Sequence, residues 1–293
     1  MSKYINGRKL FLIFNTIGLV LLSLVFLLPV WHVAMGSISD PLKVSAYSGL
    51  ILKPLGDATL GGYRLVLQNN LIVKSYANTI IYVVSATSIG LVLNILAAYV
   101  MSRKDLYFKG IIVFIVTFTM IFNGGLIPTY MLVRKLGMLD TRWSIILPTS
   151  VTAYNIIVMR TSFASIPEEL YDAAKIDGAG NFRILWQIVV PVSKSIIAVI
   201  VLFYAIQHWN SWFNASIYLR NRDLYPLQLT LREIVLLSSE NSIVAEADGQ
   251  DVEIYRPLIK YATIMVSVLP MMAIYPFVQK YFVSGVMIGS VKG

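Results

Sequence analysis

SIPEELYDAAKIDGAGNFRILWQIVVP, residues 165–191, is a polar island in an apolar chain. It gathers Glu168, Glu169, Asp172, Lys175, Asp177 and Arg183 between two apolar stretches. The 293-residue chain is 57% hydrophobic and only 13% charged, with a mean hydropathy of +0.72. An average soluble domain carries roughly 25% charged residues. Polar surface concentrated in one internal loop is expected to face a partner.

Working outward from that loop, charge-free runs define the architecture. They are Leu10–Ser39, Ser75–Ser102, Gly110–Val133, Trp143–Met159, Ser195–Leu219 and Tyr261–Gln279. Each is near or above the roughly 17–25 residues a helix needs to cross about 30 Å of hydrocarbon. Backbone groups in lipid must be satisfied internally, so these runs predict helices. A spanning barrel would alternate apolar and polar residues, which LVLLSLVFLLPV does not. Six soluble helices apolar all round would leave too little polar surface to cover them. The expectation is an all-α integral membrane protein with one transmembrane domain over 1–293. Its six spans fall at about 10–34, 75–101, 110–132, 143–160, 195–217 and 261–279. The fourth run is the shortest and contains Pro148.

An even number of spans puts both termini on one side. Lys3, Arg8 and Lys9 before the first span, and Arg103, Lys104 and Lys109 between the second and third, predict that both termini are cytoplasmic. The polar loop, about 164–191, then lies inside, with outer loops at about 40–74 and 220–260. The first apolar run exceeds the roughly 7–15 residues of a signal-peptide core, which predicts an uncleaved span.

Composition excludes several functions. With no cysteine there is no disulfide, thiolate metal site or cysteine nucleophile. His32 and His208 are too isolated for a metal centre. Glu246, Asp248, Asp251 and Glu253 lack the spacing of an EF-hand, so the tract from 246 to 253 reads as a solvated acidic loop. No metal and no cofactor are expected. The net charge of +9 is scattered among loops without a stripe or arm, so no nucleic acid is expected. No phosphate-binding G-x-x-x-x-G-K-[ST] occurs, so the chain has no ATP site of that kind. Gly285 and Gly289 form a G-x-x-x-G placed after the last predicted span.

Within the polar loop, Ser165 and Glu168 have capping-box spacing and Pro167 sits in the first turn. A helix is predicted from about Ile166, with Glu168 and Glu169 at the positive end of its dipole. Ala173 and Ala174 give it a smooth side. Gly178 and Gly180 stop it, and NFRILWQIVVP forms a second short helix.

This loop resembles the EAA motif of permease subunits of bacterial ABC importers. The matching residues are Asp172, Ala173 and Ala174, then Asp177-Gly178-Ala179, then Ile188-Val189-Val190-Pro191. Asp172 stands where the family usually has Glu, and Val190 where it has Leu. IPTYMLVRKLGMLDTRWSIILP (127–148) and the tail YPFVQKYFVSGVMIGSVKG (275–293) are similar to the sugar-importer, maltose-transporter branch. The tail looks like that of permeases for complex or acidic oligosaccharides. The resemblance implies a type I importer permease fold whose cytoplasmic coupling helix docks on an ATPase subunit through Glu168, Glu169, Asp172, Ala173, Ala174, Asp177 and Gly178. It also implies a second, different permease, two ATPase subunits, an extracytoplasmic binding protein, an oligosaccharide substrate and surrounding membrane lipid. On that reading the chain is no enzyme, and it sits in the bacterial cytoplasmic membrane.

Polar residues inside spans are the places to look for a sugar path. Gln207, Asn210 and Asn214 fall at i, i+3 and i+7, on one face of a continuous fifth helix, with Trp209 and Trp212 nearby. The alternative is interhelical hydrogen bonding with an aromatic interface belt. Tyr154, Asn155, Asn78, Ser85 and Asn94 are lesser candidates of the same kind. The rival function is an ion- or proton-coupled secondary transporter, which would place ionisable residues within the spans. The six runs contain none. A membrane enzyme would need a nucleophile, base or metal set that is not visible.

Overall fold

The computed structural model describes residues 2–237 and 250–290, and within them there are helices and no strands. In chain order the helices are α1 (Ser2–Ser37), α2 (Pro41–Ala46), α3 (Gly61–Gln68), α4 (Asn70–Ser102), α5 (Lys109–Ile121) and α6 (Leu126–Lys135). Then come α7 (Trp143–Ile146), α8 (Ala153–Ala164), α9 (Glu168–Ile176), α10 (Asn181–Ile184) and α11 (Val190–Val192). The series ends with α12 (Lys194–Trp209), α13 (Phe213–Tyr218), α14 (Leu227–Leu237) and α15 (Gln250–Ser290). Among the described residues three helices are long and apolar enough to cross a membrane: Gly7–Ser37, Asn70–Ser102 and Ile254–Pro276. Two bent pairs bring the number to five if each pair is one span.

Three predicted spans are not single helices, and local chemistry explains each break. The run 110–132 divides into α5 and α6, which meet at 108°. Gly125 adopts φ +93, and its N–H donates to Asn123 Oδ1 at 2.9 Å. An Asn-Gly-Gly sequence permits that turn where a bulkier run would continue the helix. The run 143–160 is interrupted by a 3₁₀ turn at Leu147–Thr149 holding Pro148. Thr149 and Ser150 hydroxyls bond back to the carbonyls of Ile145 and Ile146, at 2.8 and 2.5 Å. Thr152 is extended before α8 begins, so two competing local bonds and a proline end the helix early. The run 195–217 breaks after Trp209, between α12 and α13.

The chain divides into two compact units. The first comprises residues 1–70 and 231–270. Here Asp40 caps α2 by accepting from the Leu42 N–H at 2.9 Å, with Pro41 in the first turn. The loop that follows folds back on α1. Ile51 N–H donates to His32 Nδ1 at 2.9 Å, and Trp31 Nε1 donates to the Leu52 carbonyl at 2.9 Å. Val44, Ile51 and Leu258 form its buried apolar cluster. The segment YRLVLQNNLIV closes α3 and opens α4 across Asn69. The Gly285–Gly289 pair lies on the continuous backbone of α15, past its apolar stretch Ile254–Pro276. Glu246 and Asp248 lie outside the described residues.

The second unit comprises residues 71–230 and 271–293. Its axis is α4, whose 33 residues span about 50 Å at about 1.5 Å per residue. Helix α8 packs against both α5 and α12. One buried cluster joins Ile95, Ala98 and Tyr99 of α4 with Met159 and Phe163 of α8, Tyr171 and Ala174 of α9, and Ile200 and Tyr204 of α12. A second, containing Tyr82, Ala86, Val133, Ile145, Ala215 and Tyr218, lies toward the other end of α4. Gly90 sits between them. A side chain there would strike the Ser150 carbonyl oxygen, so glycine is what permits the 147–152 break to pass close to α4.

Candidate functional site

Helix α9 occupies the polar loop, but its N-terminus differs from the predicted capping box. The helix starts at Glu168, with Pro167 in the cap position and no side-chain cap bond. The Ser165 hydroxyl donates to the Ser162 carbonyl at 2.7 Å instead, closing the end of α8. Proline pins the entry: its ψ of 137 is extended, and the residue before it is driven from helix as well. Glu168 and Glu169 occupy the first turn, where the helix dipole favours them.

The C-terminus is built as the glycine predicts. Gly178 adopts φ +73, the Ala179 N–H donates to the Ala174 carbonyl at 2.9 Å, and the Gly178 N–H donates to the Lys175 carbonyl at 3.0 Å. This is the Schellman pattern, which a left-handed glycine permits. The second helix then runs from Asn181 to Val192 through one π turn at Leu185–Val189, and meets α12 at 84°.

Helix α9 has two faces. Tyr171 and Ala174, three residues apart, are buried in the cluster with α4, α8 and α12. Glu169, Asp172, Ala173 and Ile176 lie on the exposed side, and Ile176 is 86% exposed. The predicted smooth alanine face is therefore divided, with Ala174 turned into the core and Ala173 outward. Phe182 of α10 is also exposed, at 69%. Asp172 makes only a loose pair with Lys175, at 3.9 Å. Two carboxylates beside exposed apolar side chains form a surface suited to docking a basic, partly apolar partner.

The buried side of α9 is held by residues that the sequence reading used only for topology. The Arg103 guanidinium stands 4.2 Å from the centre of the Tyr171 ring. Lys104 Nζ pairs with Glu168. That hydrogen bond holds the Glu168 carboxyl below its ordinary range and raises the Lys104 ammonium above its own. Burial raises the Tyr171 phenol, opposed by Arg103. Lys109 Nζ donates to the carbonyls of Ser102 and Arg103, at 3.1 and 2.6 Å.

The predicted sugar-path residues do not share one helical face. Helix α12 ends at Trp209, and Asn210 is its cap, donating from Nδ2 to the Ile206 carbonyl at 2.9 Å. Gln207 and Asn210 are exposed, while Asn214 is half-buried on α13 beyond the break. One shared face at i, i+3 and i+7 requires a continuous helix, and this helix ends at the Asn210 cap. Trp209 is buried, edge-on to Tyr76 at 5.8 Å, and Trp212 packs on the second cluster. Asn155 is buried as well, and Tyr154 is exposed.

Asn78 and Asn94 act within the fold. Asn94 Nδ2 bonds to the Gly90 carbonyl and to the Tyr204 hydroxyl. Asn78 Nδ2 donates to the carbonyls of Asp223 and Tyr225, at 2.6 and 3.2 Å, and its Oδ1 accepts from Arg142 at 3.1 Å. Around it Ser75 bonds to Thr230, Thr79 accepts from the Leu227 N–H, and Tyr82 donates to the Leu224 carbonyl, at 2.7, 2.8 and 2.7 Å. The far end of α4 thus grips the 223–230 segment. Asp140, at φ +56, receives the Arg220 and Asn221 N–H groups at 2.9 and 2.8 Å, which lowers its pKa. Among the described residues no group of three or more His, Cys, Asp or Glu could hold a metal.

Residues 69–288 match the family described as binding-protein-dependent transport system inner membrane component. The chain belongs to that family. The permease is 37% identical to the polygalacturonan/rhamnogalacturonan transport system permease protein YtcP of Bacillus subtilis (strain 168), covering 94% of this chain and 96% of that one. It is 33% identical to protein LplC of the same organism, covering 98% of this chain and 97% of LplC. Among solved structures it is similar to a bacterial ABC transporter involved in import of the acidic polysaccharide alginate. The TM-score is 0.85 at 33% identity, covering 94% of this permease and 98% of that chain. The fold is that of a type I ABC importer permease, an inner-membrane transport component and not itself an enzyme.

Proposed function

We propose that this permease forms half of the translocation path of an ATP-driven importer for an oligosaccharide, and that the oligosaccharide is acidic. One observation carries the reading: the near-full-length likeness to a polygalacturonan/rhamnogalacturonan permease and to the alginate importer. Two relatives named for acidic polysaccharides favour that class over neutral sugars. An extracytoplasmic binding protein delivers the sugar, a second permease completes the path, and two ATPase subunits supply the energy. Helix α9 faces the cytoplasm and docks on an ATPase subunit through Glu169, Asp172, Ala173, Ile176 and Asp177, with Glu168 and Ala174 turned toward the permease's own fold. The exposed side of α9 and its left-handed Gly178 support that role. Gln207, Asn210 and Asn214 offer amide groups to the sugar at the α12–α13 break. Both termini are cytoplasmic on this topology.

The test is uptake of labelled oligogalacturonate and oligoalginate, with neutral oligosaccharides alongside, into vesicles holding the assembled transporter. ATP-dependent uptake restricted to the acidic panel is the expected result. Uptake that persists on an ion gradient without ATP overturns the importer reading, and uptake of neutral sugars alone overturns the acidic one.

A further inference from the structure

We propose that α4 is the rod through which α9 moves the second unit, and that Arg103 and Lys104 are positioning residues that clamp α9 to it. This rests on the reading of α9 as the ATPase-docking helix.

Helix α9 has nine residues, too few to hold a helical conformation or a direction unaided. Its covalent links are turns: the Ser165–Pro167 corner on one side and the left-handed Gly178 on the other, where an added Cβ would meet open space. Non-covalent contacts hold the body of the helix: the Tyr171 hydroxyl donates to the Phe163 carbonyl of α8 at 3.4 Å, and further contacts reach the C-terminal end of α4. Glu168 meets Lys104, the Tyr171 ring lies against Arg103, and Ala174 shares the buried cluster with Ala98 and Tyr99 of α4. Arg103 is itself fixed. Its N–H donates to the Val100 carbonyl at 3.3 Å, and its carbonyl accepts from Lys109. Its side chain is 13% exposed, whereas that of Lys104 is 80% exposed, so the Arg103–Tyr171 contact is the better shielded of the two.

The other end of α4 is equally engaged. Lys74, Ser75, Asn78, Thr79 and Tyr82 all bond to the 223–230 segment. A hydrogen-bonded helix is stiff along its axis, so displacement of α9 reaches that segment roughly 35–40 Å away, the rise from Asn78 to Arg103 at about 1.5 Å per residue, without any intervening hinge. At Gly90 the helix passes close to the Ser150 carbonyl, and its backbone continues through that crossing. The 223–230 segment is therefore the output end of the rod.

Because the chain has no cysteine, the double variant Lys104→Cys/Glu168→Cys supplies the only thiols in the permease. The test uses the assembled transporter in vesicles, with ATP hydrolysis and oligogalacturonate uptake measured before and after a short thiol-to-thiol cross-linker. If α4 and α9 move together, the cross-linked form, with a covalent link in place of the lost Lys104–Glu168 pair, hydrolyses ATP and imports at least as well as the unlinked form. Hydrolysis without import in the cross-linked form overturns the proposal, since the two elements would then have to separate. In parallel, Arg103→Ala should cut import at least about tenfold while hydrolysis persists, and Arg103→Lys should recover only part, lacking the planar guanidinium that lies on the ring. An equal fall in hydrolysis and import in Arg103→Ala means lost docking or folding and overturns the proposal. Wild-type import without ATP would instead sink the importer reading, a separate outcome.

Discussion

Replacing Gly90 by alanine tests the packing of the second unit most directly. Two effects oppose each other. Alanine in a helix is favoured over glycine by about 1 kcal/mol. Against this, the new Cβ would meet the Ser150 carbonyl oxygen inside any real contact distance, with Tyr204 Cζ at 3.1 Å and the Ser150 carbonyl carbon at 3.2 Å. Overpacking costs typically about 1–3 kcal/mol. Two of the three neighbours are backbone atoms that cannot swing aside as a side chain would, which places the cost near the top, about 3 kcal/mol. The net loss is about 2 kcal/mol, or a fall in apparent Tm of about 4–8 °C for a unit of this size. The assay is intrinsic-fluorescence melting of the purified protein at one scan rate, since membrane proteins unfold irreversibly. Gly110→Ala is the control: it lies in α5 with nothing within 4 Å, so it gains propensity without collision. A Gly90→Ala protein as stable as Gly110→Ala would refute the close crossing of α4 and the 147–152 break.

Asp172→Ala should leave the permease inserted but reduce co-purification of the ATPase subunits, because Asp172 is exposed and only loosely paired; undiminished co-purification would place the contact elsewhere on α9. Asn78→Ala removes three hydrogen bonds at a buried site, a loss of about 2–4 kcal/mol at about 0.5–1.5 kcal/mol each. It should expose the segment near Asp223 to protease, and unchanged protection would refute the role given to Asn78. The Lys104–Glu168 pair has a defined pH window. Glu168 is depressed from 4.5, so its contribution is present above that value and lost as pH falls through the lower folded value. Lys104 is raised from 10.5, so its contribution is full below that value and lost as pH rises through the higher one. Amide-exchange protection of residues 168–176, corrected for intrinsic rates, should therefore stay level from about pH 6 to pH 9; a slope across that range would contradict the assignment.

The apolar runs and the loop between them were legible in sequence because lipid and chain stiffness act locally. A long run without charge must be helical wherever its neighbours lie, so α1, α4 and α15 follow from composition. The glycine at 178 likewise announces its own turn, since its φ is a local property. The acidic first turn of α9 needed only the helix dipole. Spans that contain Asn123-Gly124-Gly125, Pro148 or Asn210 were harder, because there the choice between continuing and breaking depends on partners. Ser165 illustrates this: capping-box spacing was present, yet its hydroxyl closes the preceding helix instead.

Sequence by itself determined that this chain spans a membrane, that its polar surface gathers at 165–191, and, through the motif there, the family to which it belongs. Tertiary structure alone decided which way each polar side chain works. Ala173 and Ala174 are identical neighbours, yet one faces out and the other fills the core. Asn78 and Asn94, candidates for a sugar path by type, are bound to backbone carbonyls and, in the case of Asn94, to the Tyr204 hydroxyl. Trp209 is buried and packed edge-on to Tyr76. Arg103 and Lys104, read at first as topology signals, meet Tyr171 and Glu168 more than sixty residues away. Periodicity and charge are encoded along the chain, but a contact between residues distant in sequence exists only once the helices have packed, and that packing sets each group's partner.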